Sequence, residues 1–218
     1  MRIRLINPNT SGHITRRMVD SAQPCLPADW QFQGVTATQG PTAVTQPAQV
    51  AEATANVVSL VREHAPVCDG IIVGISLDCG LAQARQAAGG IPVVGMTEAA
   101  CLLACARGDS FGLLTLGSAM APLYQQLLQS RGLASRLAGI GAPDVGQAFS
   151  ASSPLHLPLV VEQLDREARR LVDGGASGIV LAGAVLCGYA QPLARRVGVP
   201  FYDGAACGAL ALRSLLAL

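Results

Sequence analysis

Two short stretches of the chain carry the same reactive side chain in the same setting: Cys79-Gly80-Leu81-Ala82-Gln83 and Cys187-Gly188-Tyr189-Ala190-Gln191. Each follows a continuous apolar run and is expected to open a helix. A cysteine at a helix N-terminus has its pKa drawn down from about 8.5 toward neutrality, which makes thiolate available. Two such thiols on opposite sides of one carbon can take a proton from one face and return one to the other. The chemistry suits a C–H made acidic by a neighbouring carbonyl, with the enolate held by hydroxyls and backbone N–H groups. The competing reading is core packing, since cysteine is among the most buried residue types; Cys101 and Cys105, four apart in an Ala/Leu-rich helix, fit that role.

Other polar residues are expected around the same carbon. Asn7-Pro8-Asn9-Thr10-Ser11 lies where the first strand gives way to the first helix. Such residues cap helices, and Asn7, Asn9 and Thr10 also make a hydrogen-bonding platform for a substrate. Ser76 and Asp78 just precede Cys79; Ser76 could bind a substrate oxygen, and Asp78 could do so or cap the helix. Thr115 and Ser118 occupy the matching strand end of the second half, and Gly183 and Gly188 leave room beside it. Tyr124 is expected to be packing. His13 and His64 belong on solvated helix faces, while His156 lies in a Ser- and Pro-containing loop that could reach a cleft. The histidines are dispersed and there is no Cys-x-x-Cys, so no metal is expected. Gly139-Ile140-Gly141 with Gly146 lacks the dinucleotide-binding spacing and reads as a loop.

Composition narrows the chemistry further. The 218 residues include 15 basic and 14 acidic ones, so the chain is nearly neutral, and only 13% are charged. Nucleic acid is not an expected partner, because phosphate contacts need a basic surface. Every basic residue is Arg; with no Lys, the pyridoxal Schiff base, the imine aldolases and the lysine phosphate loop are closed. No cofactor is needed for thiol acid/base chemistry, and a small molecule is the expected partner. Half of the residues are hydrophobic, yet no uninterrupted apolar stretch reaches the roughly 18 residues of a membrane span, so no membrane is expected. An odd number of cysteines, seven, without a leader favours free thiols and a cytoplasmic location.

The elements that must position these residues alternate. Strands are expected near 2–7, 30–36, 69–76, 91–94, 110–116, 136–140, 176–183 and 199–202. Helices are expected near 11–23, 47–64, 79–88, 97–106, 119–132, 157–173, 187–197 and 205–217. The runs at 70–74 and 178–182 are continuous and rich in β-branched residues, as strands buried on both faces are. Such alternation predicts an α/β protein with parallel sheets, whose ligands sit beyond the carboxyl ends of the strands. Sliding the chain on itself by 108 residues matches Gly70 with Gly178, Ile71 with Ile179, Cys79 with Cys187, Gln83 with Gln191 and Pro92 with Pro200. This internal repeat predicts two pseudo-symmetric Rossmann-like halves, 1–97 plus 205–218 and 98–204, with a cleft between them.

Three further pieces carry a resemblance across essentially the whole chain. Ile6-Asn7-Pro8-Asn9-Thr10-Ser11, Ile91-Pro92-Val93-Val94-Gly95-Met96-Thr97-Glu98-Ala99 and Val199-Pro200-Phe201-Tyr202-Asp203-Gly204 resemble the hydantoin and allantoin racemases of the aspartate/glutamate racemase superfamily. The resemblance implies a cofactor-independent enzyme, commonly oligomeric, with a two-cysteine acid/base pair acting on hydantoins or allantoin. It places the family's first cysteine at Ile75 or Ser76 and its second at Gly183, so that Cys79 and Cys187 follow those positions by about one helical turn. Gly74-Ile75-Ser76-Leu77 also resembles the arylmalonate decarboxylases, which form the same kind of enediolate and keep one cysteine; here Gly183 stands at that cysteine's place. A ligand-binding relative without catalysis is the third reading.

Overall fold

The continuous apolar runs become the central strands of two separate parallel sheets. The computed structural model describes residues 1–44, 46–145 and 157–218. The first sheet has the order β2-β1-β3-β4, formed by β1 (Arg2–Asn7), β2 (Gln31–Thr36), β3 (Gly70–Val73) and β4 (Val93–Gly95). The second repeats it as β6-β5-β7-β8, from β5 (Phe111–Leu114), β6 (Leu137–Gly141), β7 (Ile179–Leu181) and β8 (Phe201–Asp203). All neighbours are parallel, with Ile3 beside Gly70 in one sheet and Gly112 beside Ile179 in the other. Parallel strands need crossover connections, and the amphipathic segments supply them as helices. The protein is thus an α/β fold of two similar four-stranded units.

The helices are α1 (Gly12–Ala22), α2 (Val50–His64), α3 (Leu81–Ala87), α4 (Met96–Arg107), α5 (Ala121–Ser130), α6 (Pro158–Asp173), α7 (Ala190–Val197) and α8 (Gly204–Leu215). Residues 139–141, read from sequence as part of a loop as well as a strand end, belong to β6. His156 and Gly146 lie outside the described residues.

Two helices are exchanged between the units. α4 follows the first sheet but packs on β7 and β8; α8 follows the second but packs on β3, β4 and α1. Gly70 opens the way for α8, since a Cβ there would sit 2.9 Å from Leu212 Cδ1. α4 and α8 also pack on each other. The buried side chains Met96, Ile72, Ala205, Ala209 and Leu212 form one continuous cluster across this exchange. No helix among the described residues is long and apolar enough to cross a membrane.

Candidate active site

A cavity of about 410 Å³ opens where the carboxyl ends of both sheets meet. Its polar lining is Asn9, Ser76, Thr115, Tyr124 and Asp144, and Gly183 completes it beside Ala184 and Val185. Ile14, Val44, Ile75, Leu116 and Met120 make much of the remaining wall apolar. The position is the one expected of parallel α/β sheets. Each polar group is brought there by a strand end: Asn9 follows β1, Ser76 follows β3, Thr115 follows β5, Asp144 follows β6 and Gly183 follows β7.

Tyr124 joins the two units at this point. Its hydroxyl lies 2.7 Å from the Ser76 hydroxyl and donates to the Ala182 carbonyl at 3.0 Å. Because the Tyr124 proton is committed to Ala182, the Ser76 hydroxyl donates to Tyr124 Oη in this arrangement. Tyr124 is 2% exposed, and burial pushes its pKa up to about 12 against the pull of the Ser76 and Thr115 hydroxyls. It therefore stays protonated at neutral pH as a donor. Sequence reasoning missed it, since an aromatic residue on an amphipathic helix gives no signal beyond packing.

The first loop is stiffened by side chains bonded to backbone. Asn7 accepts from the Asn9 N–H at 3.2 Å and donates to Thr15 Oγ1 at 2.9 Å; Asn9 in turn accepts from the Ser11 N–H at 3.1 Å. These short Asx turns fix Asn9 at the cavity wall. Arg17 on α1 donates to the Val185 carbonyl at 2.8 Å and so holds the opposite wall.

Asn9, Ser76, Thr115 and Gly183 are the sequence-predicted residues that the structure brings together. Asn7 is fully buried in its turn, Thr10 bonds to the Pro41 carbonyl, and Ser118 is exposed outside the cavity. Asp78 accepts from the Thr97 and Glu98 N–H groups, and the Gly188 N–H donates to Asp203 at 2.7 Å; neither lines the cavity.

The two thiols differ most from expectation. Neither Cys79 nor Cys187 lines the cavity, and neither opens a helix. α3 starts only at Leu81 after Gly80 at φ +75°, and α7 at Ala190 after Gly188 at φ +93°. The left-handed glycines, a conformation costly for other residues, end the approach of each strand and turn the preceding cysteine into the core. Cys79 is buried with α2 residues Ala53 and Val57, and burial pushes its thiol up to about 11 although Thr54 bonds to it. Cys187, 1% exposed, lies in the cluster with Ala205 and Ala209, and burial drives its thiol well above the usual range, with Asp203 adding to the rise. Both shifts run opposite to thiolate activation. All seven cysteines are free.

The described residues hold no group of three or more His, Cys, Asp or Glu arranged as metal ligands. The cavity's donors are hydroxyls, an amide and backbone, a set suited to carbonyl oxygens and enolates.

Comparison with known proteins identifies the scaffold. The sequence profile of the Asp/Glu/Hydantoin racemase family matches residues 3–212. The chain belongs to that family. A hydantoin racemase of Paenarthrobacter aurescens is 30% identical over 224 residues, covering 100% of this chain and 92% of that protein. An allantoin racemase from Klebsiella pneumoniae superposes with a TM-score of 0.91 at 27% identity, covering 100% of this chain and 88% of that one. Arylmalonate decarboxylase shares the fold alone, with a TM-score of 0.65 at 18% identity, over 99% of this chain and 92% of that one. As a member of the Asp/Glu/Hydantoin racemase family the chain is a racemase-type isomerase. Within that family scaffold, its cavity presents Ile75 and Ser76 at the place of the first thiol that the resemblance implies, and Gly183 at the place of the second.

Proposed function

We propose that the protein racemises a small cyclic compound of the hydantoin class at a carbon flanked by a carbonyl, within the cavity between the two sheets. The observation that carries this reading is the hydroxyl cluster at the meeting of the strand ends. Ser76, Thr115 and Tyr124 converge in a cavity whose remaining wall is largely apolar, suited to a ring with an apolar substituent.

Asp144 is the carboxylate of the described lining, and in this reading it takes the proton from carbon. The C–H electron pair then moves onto the neighbouring carbonyl oxygen, and the resulting enolate is held by the Thr115 hydroxyl and the Asn9 amide, and by the Ser76 hydroxyl once it turns from Tyr124 to the substrate. Preorganised donors aimed at such an oxyanion are commonly worth about 10²–10³ in rate each. Reprotonation by Asp144 restores the starting hand. Reprotonation from the Ser76 hydroxyl gives the other; the Ser76 oxygen then regains a proton from solvent in the cavity and Asp144 releases the proton it took, so the cycle closes without net proton change. Asn9 and Thr115 hold the ring's carbonyl and amide groups through both events.

Deuterium exchange into C5 of a 5-alkylhydantoin in D₂O, with chiral analysis of the product, tests the reading. The Cys79→Ser/Cys187→Ser protein is expected to keep turnover, while Ser76→Ala and Asp144→Asn lose most of it. If the thiol variant is inactive and the other two are active, the two-thiol mechanism replaces this one. Release of carbon dioxide from a disubstituted malonate without hydantoin exchange assigns a decarboxylase instead. Binding without either reaction assigns a non-catalytic relative. The family resemblance also implies a homo-oligomer, which light scattering of the purified chain decides.

A further inference from the structure

We propose that Asp78 is a positioning residue of this site: its carboxylate latches the loop that carries Ser76 onto the first turn of α4 and thereby fixes the Ser76 hydroxyl against Tyr124. The inference rests on the proposed reading of the cavity for its catalytic consequence and on geometry alone for the latch.

Asp78 is 2% exposed and takes a left-handed backbone conformation at φ +46°, the only described residue other than glycine with positive φ. One carboxylate oxygen accepts from the Thr97 N–H at 3.2 Å and the other from the Glu98 N–H at 2.7 Å. The Thr97 hydroxyl closes the loop from the other side by donating to the Ser76 carbonyl at 2.6 Å. An unbroken path therefore runs from the start of α4 through Asp78 and Thr97 to Ser76, then through Tyr124 to the Ala182 carbonyl at the end of β7. A strained conformation held by this many partners is the kind that persists beside a working site.

The second unit repeats the device with a residue from another place in the chain. Asp203 accepts from the Ala205 and Ala206 N–H groups at the start of α8 at 3.0 and 3.2 Å, and from the Gly188 N–H of the loop after β7 at 2.7 Å. In the 108-residue register Asp203 corresponds to Gly95. A Cβ at Gly95 would lie 2.5 Å from Asp78 Cγ and 2.7 Å from both of its carboxylate oxygens. The space that the second unit fills from its strand end is filled in the first unit from the loop. Two units that diverged in sequence thus both keep a carboxylate bridging strand-end loop and following helix.

Two variants reach the latch from opposite sides. Asp78→Asn replaces one acceptor oxygen by an amide nitrogen, and Gly95→Ala evicts the side chain while leaving Asp78 itself unchanged. Each is expected to speed amide hydrogen exchange at Glu98 and over residues 74–80. On a 5-alkylhydantoin each is expected to lower kcat roughly ten- to a hundredfold while KM changes less than about threefold, because ring contacts at Asn9 and Thr115 remain and only the hydroxyl geometry slips. The double variant should be no worse than either single one, since both break one interaction. Unchanged amide exchange in both folded variants overturns the latch. Faster exchange with unchanged kcat overturns the positioning role. If the wild-type protein turns over no hydantoin, the proposed function fails, and amide exchange at 74–80 and Glu98 still decides the latch.

Discussion

Replacing Asp78 by Asn should remove a large part of the dependence of stability on pH. In the unfolded chain the carboxyl loses its proton around its ordinary value of 3.8; in the folded protein burial raises this to about 7, against the opposing pull of the Glu98 and Thr97 N–H groups. Between those values the folded state binds the extra proton, so its contribution to stability is complete below about pH 4 and is lost as pH rises through 7. A displacement of about three pH units at about 1.4 kcal/mol each is worth roughly 4 kcal/mol at full ionisation. Glu98 beside it raises the carboxyl further, and Arg131 lowers it. Urea unfolding at about pH 4.5, 6 and 7.5, followed through the single tryptophan, Trp30, measures the effect. The wild-type protein should lose several kcal/mol relative to Asp78→Asn across that series, with equal m-values. Parallel profiles would refute the reasoning: they would mean that the two helix N–H bonds outweigh burial and keep Asp78 ionised throughout.

Tyr124→Phe strands the buried Ala182 carbonyl and leaves Ser76 without its partner, so it should cost about 1–3 kcal/mol in stability and lower hydantoin exchange by about 10²-fold; thermal melts and exchange kinetics check the two parts separately. Cys79 and Cys187 should resist iodoacetamide at pH 8 in the folded protein and react only after unfolding, because burial holds both thiols far above that pH; rapid native alkylation of either, read by mass spectrometry, would contradict the placement. Arg136 donates to the carbonyls of Cys105, Gly108 and Asp109 at the end of α4. Arg136→Met should therefore lower Tm by about 2–8 °C, taking about 1–2 kcal/mol for a partly exposed charged cap at about 2–4 °C each.

The sheets were legible because buried parallel strands have a blunt signature. Gly70-Ile71-Ile72-Val73 and Gly178-Ile179-Val180-Leu181 are apolar on both faces, and the structure puts them in the interior as β3 and the core of β7. The strand ends were legible too, since Asn9, Ser76 and Thr115 are polar residues placed directly after such runs. The burial of the two thiols away from the cavity was not legible, for a definite reason. A repeated Cys-Gly can record a repeated packing problem as readily as repeated chemistry, and here the glycine's left-handed turn decides where the cysteine points. Nothing in the linear spacing distinguishes a helix that starts at Cys79 from one that starts at Leu81. Tyr124 and Thr97 were out of reach because each matters through a partner distant in sequence, Ser76, across 48 and 21 residues.

The exchange of α4 and α8 has a consequence for the order in which the protein can be made. Domains emerging from the ribosome generally fold as units, the N-terminal one first. This chain cannot follow that order to completion, because the face of β3 and β4 that α8 covers stays bare until every strand of both sheets has been synthesised. The nascent first unit must carry Ile72, Val94 and Met96 uncovered while more than a hundred further residues are added. Such late closure between distant segments slows folding. It also keeps that apolar surface available for aggregation until α8 arrives.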